Sequence, residues 1–202
     1  MLKTTLVSLM TLTLAANGQA QKNWKDFAEY ELYVTAVRGD GPPAAHLEYL
    51  DKWKSQYPQS DYAATRLKMY LLTYQQLNNH RGAFDTAGEI LKTDPNDLQS
   101  LWEIVDHGLQ LVAGQPNSRL SAENKSDLDT IHKSGRYILE NLDKIFAADK
   151  KPGPVSDEQW RLAKNTMRQS AQTVVDRGVG ADPRRSEATL IRRPKLFSGL
   201  LP

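Results

Sequence analysis

The chain has 202 residues, 40% of them hydrophobic and 25% charged, with a formal net charge of +2 and no cysteine. That length and balance suit one domain with a continuous core, and the missing cysteines exclude disulfides, thiolate metal sites and cysteine nucleophiles together. The charge is uneven: residues 21–176 hold 19 Lys and Arg against 22 Asp and Glu, whereas 177–202 hold six against two, so a slightly acidic body precedes a basic tail.

Residues 1–20 read as an address and not as part of the fold. Lys3 supplies a positive start, Leu6 to Ala16 is an apolar run too short to cross a bilayer, and Gly18 and Ala20 set small residues where a signal peptidase cuts. The pattern predicts cleavage before Gln21 and an exported protein, periplasmic or secreted. No later run is apolar enough to predict a transmembrane segment.

From Trp24 onward the apolar period is helical, and alternation of the strand kind is missing. Trp24, Phe27, Tyr30, Val34 and Val37 mark a first helix that stops at Gly39-Asp40-Gly41-Pro42-Pro43. Leu47, Leu50, Trp53 and Tyr57 mark a second, ended by Pro58. Ser60 is placed to cap a third, in which Ala64, Leu67, Leu71 and Tyr74 form one stripe and Ala63, Tyr70 and Leu77 another. Two stripes require two neighbours. After the turn Leu77-Asn78-Asn79-His80-Arg81, a fourth helix carries Ala83, Ala87 and Gly88 on one face, which predicts a close helix crossing, with Ile90 and Leu91 beyond it. Asp94-Pro95 stops that helix, and Asp97 is placed to cap the next.

These residues carry a resemblance. Residues 64–97 resemble one tetratricopeptide (TPR) repeat of 34 residues, with Ala83 as the alanine at the helix crossing, Pro95 as the closing proline and "DPND" as its ending. Leu67 and Leu71 stand where that family often has Trp and Gly, and Ala87 where it often has a large aromatic. Residues 27–60 resemble a poorer copy ending in "YPQS", with His46 at the alanine position, and the closing prolines Pro58 and Pro95 lie 37 residues apart. A third copy is stretched: Leu98 to Val112 as a helix, Ala113 to Ser121 as a loop, and Ala122 to Ala147 as a long helix striped by Leu128, Ile131, Ile138, Leu142 and Ile145. The resemblance implies an all-α fold of antiparallel helix pairs stacked as a short TPR-like α-α superhelix over residues 21–147.

Residues 148–176 supply one more helix. Ser156 and Gln159 make a capping box, and Trp160, Ala163, Met167, Ala171 and Val174 form its apolar stripe. By position it is the first helix of an incomplete fourth repeat, so the stripe is expected to lack a partner and to permit self-association through residues 157–175. Residues 177–202, with Arg pairs, scattered Gly and Pro and no sustained period, are expected to be a disordered basic tail, either a native terminus or the product of a displaced reading frame.

The chemistry-bearing residues do not converge. His46, His80, His107 and His132 lie on different elements with no i, i+4 pair, which argues against a zinc site. Glu103 and Asp106 share a helix face and read as a solvated pair. Gly178-Val179-Gly180 runs into Asp182-Pro183 where a phosphate loop needs a helix, and Ser134-Gly135 lacks a nucleophile elbow. Trp24, Trp53, Trp102 and Trp160 recur once per helix pair, a rhythm of core layers.

The expectation is therefore no catalytic site, no cofactor and no metal, but a non-enzymatic scaffold that binds a peptide or another envelope protein. In TPR arrays the first helix of each pair forms the concave groove, and by that resemblance the groove residues are Arg66, Tyr70, Tyr74, Gln75 and Glu103. The alternative is a nucleic-acid or anionic-surface binder acting through the basic tail. Clustering of the basic residues in one short segment, together with export, disfavours nucleic acid.

Overall fold

A computed structural model describes residues 23–38, 41–108 and 122–177. The expected signal peptide, the loop at 113–121 and the basic tail from residue 178 onward lie outside them. Among these residues seven helices follow one another: α1 (Phe27–Arg38), α2 (Pro43–Gln56), α3 (Ala63–Gln76), α4 (His80–Thr93), α5 (Leu98–Trp102, continuing as a π-helical turn over Glu103–His107), α6 (Ala122–Ile145) and α7 (Asp157–Arg177), with a short 3-10 turn at Ala148–Lys150. Among the described residues there is no strand, and no helix is long and apolar enough to cross a membrane. Each helix packs on the next through α5, whose π-helical turn also meets α6 and α7.

Helix α3 occupies the centre because both of its stripes are covered. Leu71, with Leu67 and Tyr74 beside it, belongs to the large core cluster that runs through α4, α5, α6 and α7. Tyr70 and Met69 belong instead to a smaller cluster with Leu32, Leu50 and Trp53. Ala64, assigned to the first stripe, is exposed, while Ala63 and Arg66 of the same turn are covered in part or in full. Ser60 does not cap α3. Its hydroxyl accepts from the Tyr62 N–H at 3.0 Å within the turn, and the helix begins at Ala63 without a side-chain cap.

The other helix ends follow their local chemistry. Asn78 takes φ 53, a left-handed conformation that Asn tolerates, and Asn79 caps α4 by accepting from Gly82 N–H at 3.0 Å. Asp97 caps α5 through the Ser100 N–H, also at 3.0 Å, and Ser156 and Gln159 exchange hydrogen bonds as a complete capping box. Ala83 and Ala87 are buried at the α3–α4 crossing. Gly88 does not join them, since nothing lies within 4 Å of where its Cβ would be; the close approach is at Gly82, whose missing Cβ would sit 2.7 Å from the Tyr74 ring.

Helix α7 corrects the expectation of an unpartnered stripe. Trp160, Ala163, Met167, Ala171 and Val174 are all buried, and α6 is the main covering element. The two helices meet at Gly135, where a Cβ would lie 3.0 Å from Val174 Cγ1. The Trp160 indole N–H donates to the Phe146 carbonyl at 3.2 Å. Only Leu162 remains exposed among the large apolar residues of α7, so the stripe offers no surface for self-association, and the unpaired helix that pointed to a displaced reading frame is not there. Arg81 ties α4 to α6 with a two-pronged pair to Asp127, at 2.6 and 3.1 Å.

A buried carboxylate holds α1 in place. Glu29 is fully buried and accepts from the Lys25 N–H at 2.7 Å and the Trp53 indole at 3.1 Å. Burial alone would raise its pKa, but these bonds, a further one from Ser60 and the Lys25 charge outweigh it and leave the carboxyl below its ordinary value of 4.5. Trp24 stacks on Tyr62 beside it, with centroids 3.7 Å apart.

Two predictions follow from this packing. Gly88→Ala adds helix propensity in open space and should stabilise the chain by about 0.5 to 1 kcal/mol, whereas Gly108→Ala, whose Cβ would meet Ile131 Cγ1 and Phe84 Cε2 at 2.8 Å, should destabilise it by about 1 to 3 kcal/mol; urea midpoints read both signs. Glu29→Gln should cost about 1 to 3 kcal/mol at neutral pH. Because the folded pKa is the lower one, the Glu29 contribution is present above pH 4.5 and lost as pH falls through the folded value. The gap between wild type and variant should therefore narrow on acidification, as a series of melting curves would record.

Candidate functional site

The five residues expected to line a groove divide into two groups. Arg66 and Tyr70 are 5% exposed and face α2. The Arg66 guanidinium lies 5.3 Å from the Trp53 ring centroid and donates to the Tyr57 carbonyl at 3.0 Å, and desolvation lowers its pKa. The Tyr70 hydroxyl donates to Asp51 at 2.6 Å; burial first, then that bond, pushes its pKa up. Its ring stacks with Tyr74, centroids 5.9 Å apart. These two side chains join α3 to α2, and burial removes both from direct contact with a ligand. Tyr74 is half-buried over Gly82, and desolvation raises its pKa as well.

Gln75 and Glu103 belong together. The Gln75 amide donates to Glu103 Oε2 at 2.6 Å, and its own oxygen accepts from Gln99 at 3.1 Å. Glu103 Oε1 pairs with His107 Nδ1 at 2.7 Å, and His107 Nε2 lies 3.5 Å from Asp106 Oδ2. The result is a polar seam between α3 and α5, extended by Lys68 and Asp97 at 2.8 Å. Desolvation would raise the Asp97 pKa, but Lys68 and Ser100 outweigh it and hold the carboxyl low.

Glu103 departs from the solvated pair that its spacing implied, because it is fully buried. The helix is covered on every side here, Ser100 to Val105 being buried without a break, so Glu103 is enclosed, and in the π-helical turn that follows Asp106 and His107 stay half-buried. Both Glu103 oxygens are taken, which makes the carboxylate an anchor between helices.

Sequence spacing missed the approach of His80 and His107, whose rings lie 5.5 Å apart across α4 and α5. Among the described residues, no group of three or more His, Asp or Glu is arranged to hold a metal ion. Trp53, Trp102 and Trp160 are buried and Trp24 packs on the smaller cluster, as core layers require.

A second surface lies at the other end of the helix order. Phe27, Tyr30 and Val37, whose period marks α1 in the sequence, are exposed; the face turned inward is Glu29, Leu32, Tyr33 and Ala36. A cleft of about 600 Å³ runs between α1 and α2 on the outer side. The signal for it was present in the alternation of two apolar stripes along α1.

Compared with family models, with curated proteins and with solved structures, the chain matches none. Glu103→Ala tests whether the seam holds α5 to α3. Losing the acceptor for Gln75 and His107 and opening a cavity should cost about 2 to 4 kcal/mol in denaturant unfolding, against less than about 0.5 kcal/mol for the exposed control Gln76→Ala.

Proposed function

We propose that the chain is a non-enzymatic interaction scaffold of TPR type, acting outside the cytoplasm and holding a peptide or envelope protein against the face made by α3 and α5. The observation that carries the reading is the direct seam between α3 and α5, in which Gln75 meets Gln99 and Glu103, and Lys68 meets Asp97. Helices α3 and α5, two apart in the chain, meet through these side chains while α4 packs on α3, the neighbour relations expected of a stack of helix pairs. The buried alanines Ala83 and Ala87 at the α3–α4 crossing support the same reading.

Burial of Arg66, Tyr70 and Glu103 moves the contact residues to the half-buried polar edge of the seam, where Lys68, Gln75 and Gln99 present amide and ammonium groups. Primary amides both donate and accept, and so suit the backbone of an extended peptide. Export rests on Lys3, the Leu6–Ala16 run and Ala20.

Affinity capture from an envelope fraction, run in parallel with wild type and Gln99→Arg, tests the proposal. A specific protein should be retained by the wild type and weakened about tenfold or more by the variant, the cost of burying an unmatched charge in a small interface. Equal retention by both chains contradicts the seam as the contact surface. Retained nucleic acid that is released by salt and lost on removal of residues 178–202 would favour the basic tail instead.

A further inference from the structure

Helix α1 has two apolar faces, and only one is covered among the described residues. Leu32, Tyr33 and Ala36 pack with Leu50 and Trp53 of α2. On the other side Phe27 is 71% exposed, Tyr30 42% and Val37 49%, with Tyr49 of α2 at 38%. Among the described residues, four of the five exposed large apolar side chains thus belong to α1 and α2. Phe27, Tyr30, Val34 and Tyr49 line the cleft between α1 and α2, and its charges are Glu31, Arg38 and Lys52. A contiguous apolar patch rimmed by polar residues is the mark of an association surface.

The order of charge selects the occupant. Glu31 and Arg38 lie seven residues apart, two turns along the same face of α1, acid first and base second. A second α1 approaching in parallel would set Arg38 against Arg38. Approaching antiparallel, about a two-fold axis beside Val34, it sets Glu31 of each copy against Arg38 of the other, so that one operation satisfies both ends. It also places Tyr30 near the opposing guanidinium, the geometry of a cation–π contact.

We propose that the chain forms an isologous dimer in which α1 of each copy seats antiparallel in the α1–α2 cleft of the other, with Phe27, Tyr30, Val34 and Tyr49 in the apolar seam and Glu31–Arg38 pairs at its two ends. The dimer does not depend on the TPR-type reading. It makes a four-helix contact of α1 and α2 from each copy and leaves the α3–α5 seam free.

Sedimentation velocity of the full chain across the micromolar range tests this. The wild type should associate to a dimer. Glu31→Arg and Arg38→Glu should each weaken it about tenfold, by turning two symmetric attractions into repulsions. The doubly reversed chain should return to within about threefold of wild type, because the pairs are restored with opposite polarity. Since the chain has no cysteine, Val34→Cys under mild oxidation should give a disulfide-linked dimer and no higher species; it decides the matter should a charge reversal reduce the helical circular dichroism signal. A monomer at every concentration overturns the proposal, as when residues 1–22 or a different protein fill the cleft. A dimer indifferent to both single reversals, or a Val34→Cys chain that does not cross-link, overturns it equally.

Discussion

The structure depends on one helix being apolar on two sides. Helix α3 gives Leu71, Leu67 and Tyr74 to the larger core cluster and Tyr70 and Met69 to the smaller one, with Tyr74 touching both. Without it, α1 and α2 would form a hairpin around Leu32, Leu50 and Trp53, too small a cluster to offset the chain entropy of ordering those helices. Each large side chain buried in α3 is worth about 1.5 to 3 kcal/mol. What makes α3 central is that this stabilisation is drawn from both neighbours at once.

Polar contacts then fix the register of what the core holds together. Glu29 ties the start of α1 to Trp53, Arg66 ties α3 to the end of α2, and Glu103 ties α5 to α3 through Gln75. Such groups add little net energy when satisfied, but an arrangement that leaves one unpaired costs about 1 to 3 kcal/mol, so they penalise wrong registers. Exposed pairs such as Lys25 with Asp61 or Lys133 with Asp129 carry less weight, because solvent screens them and two long side chains must be held still. The two-pronged Arg81–Asp127 pair differs, since its carboxylate is buried and its geometry is fixed at both prongs.

Helix positions were legible in the sequence wherever a stop or cap had a local cause: Pro58, Asp94-Pro95, Asp97 and the Ser156–Gln159 box all act where their chemistry placed them. Which face turned inward was legible only where one stripe was stronger than the other. In α1 the larger side chains, Phe27 and Tyr30, face outward while Leu32 and the carboxylate of Glu29 go in, because Trp53 and Ser60 offer Glu29 hydrogen bonds that no pattern of hydrophobicity records. In α7 the stripe was correctly placed but its partner was not, since α6 is long enough to cover it as well as meeting α5. The site was less legible than the fold. Gln75 and Glu103 do come together, and Glu103 and His107 have the i, i+4 spacing of a helical pair, but the covering of α5 on every side, which buries Glu103, has no signature in the local sequence.

Native-state hydrogen exchange tests most directly whether α3 unites the two clusters. If α3 draws its stability from both sides, its central amides, around Tyr70 to Thr73, should exchange only through global unfolding, while those of α1 exchange through a local opening of lower free energy. Exchange of the α3 amides as readily as those of α1, with α4, α6 and α7 still protected, would contradict the account, because α3 would then belong to the smaller cluster alone.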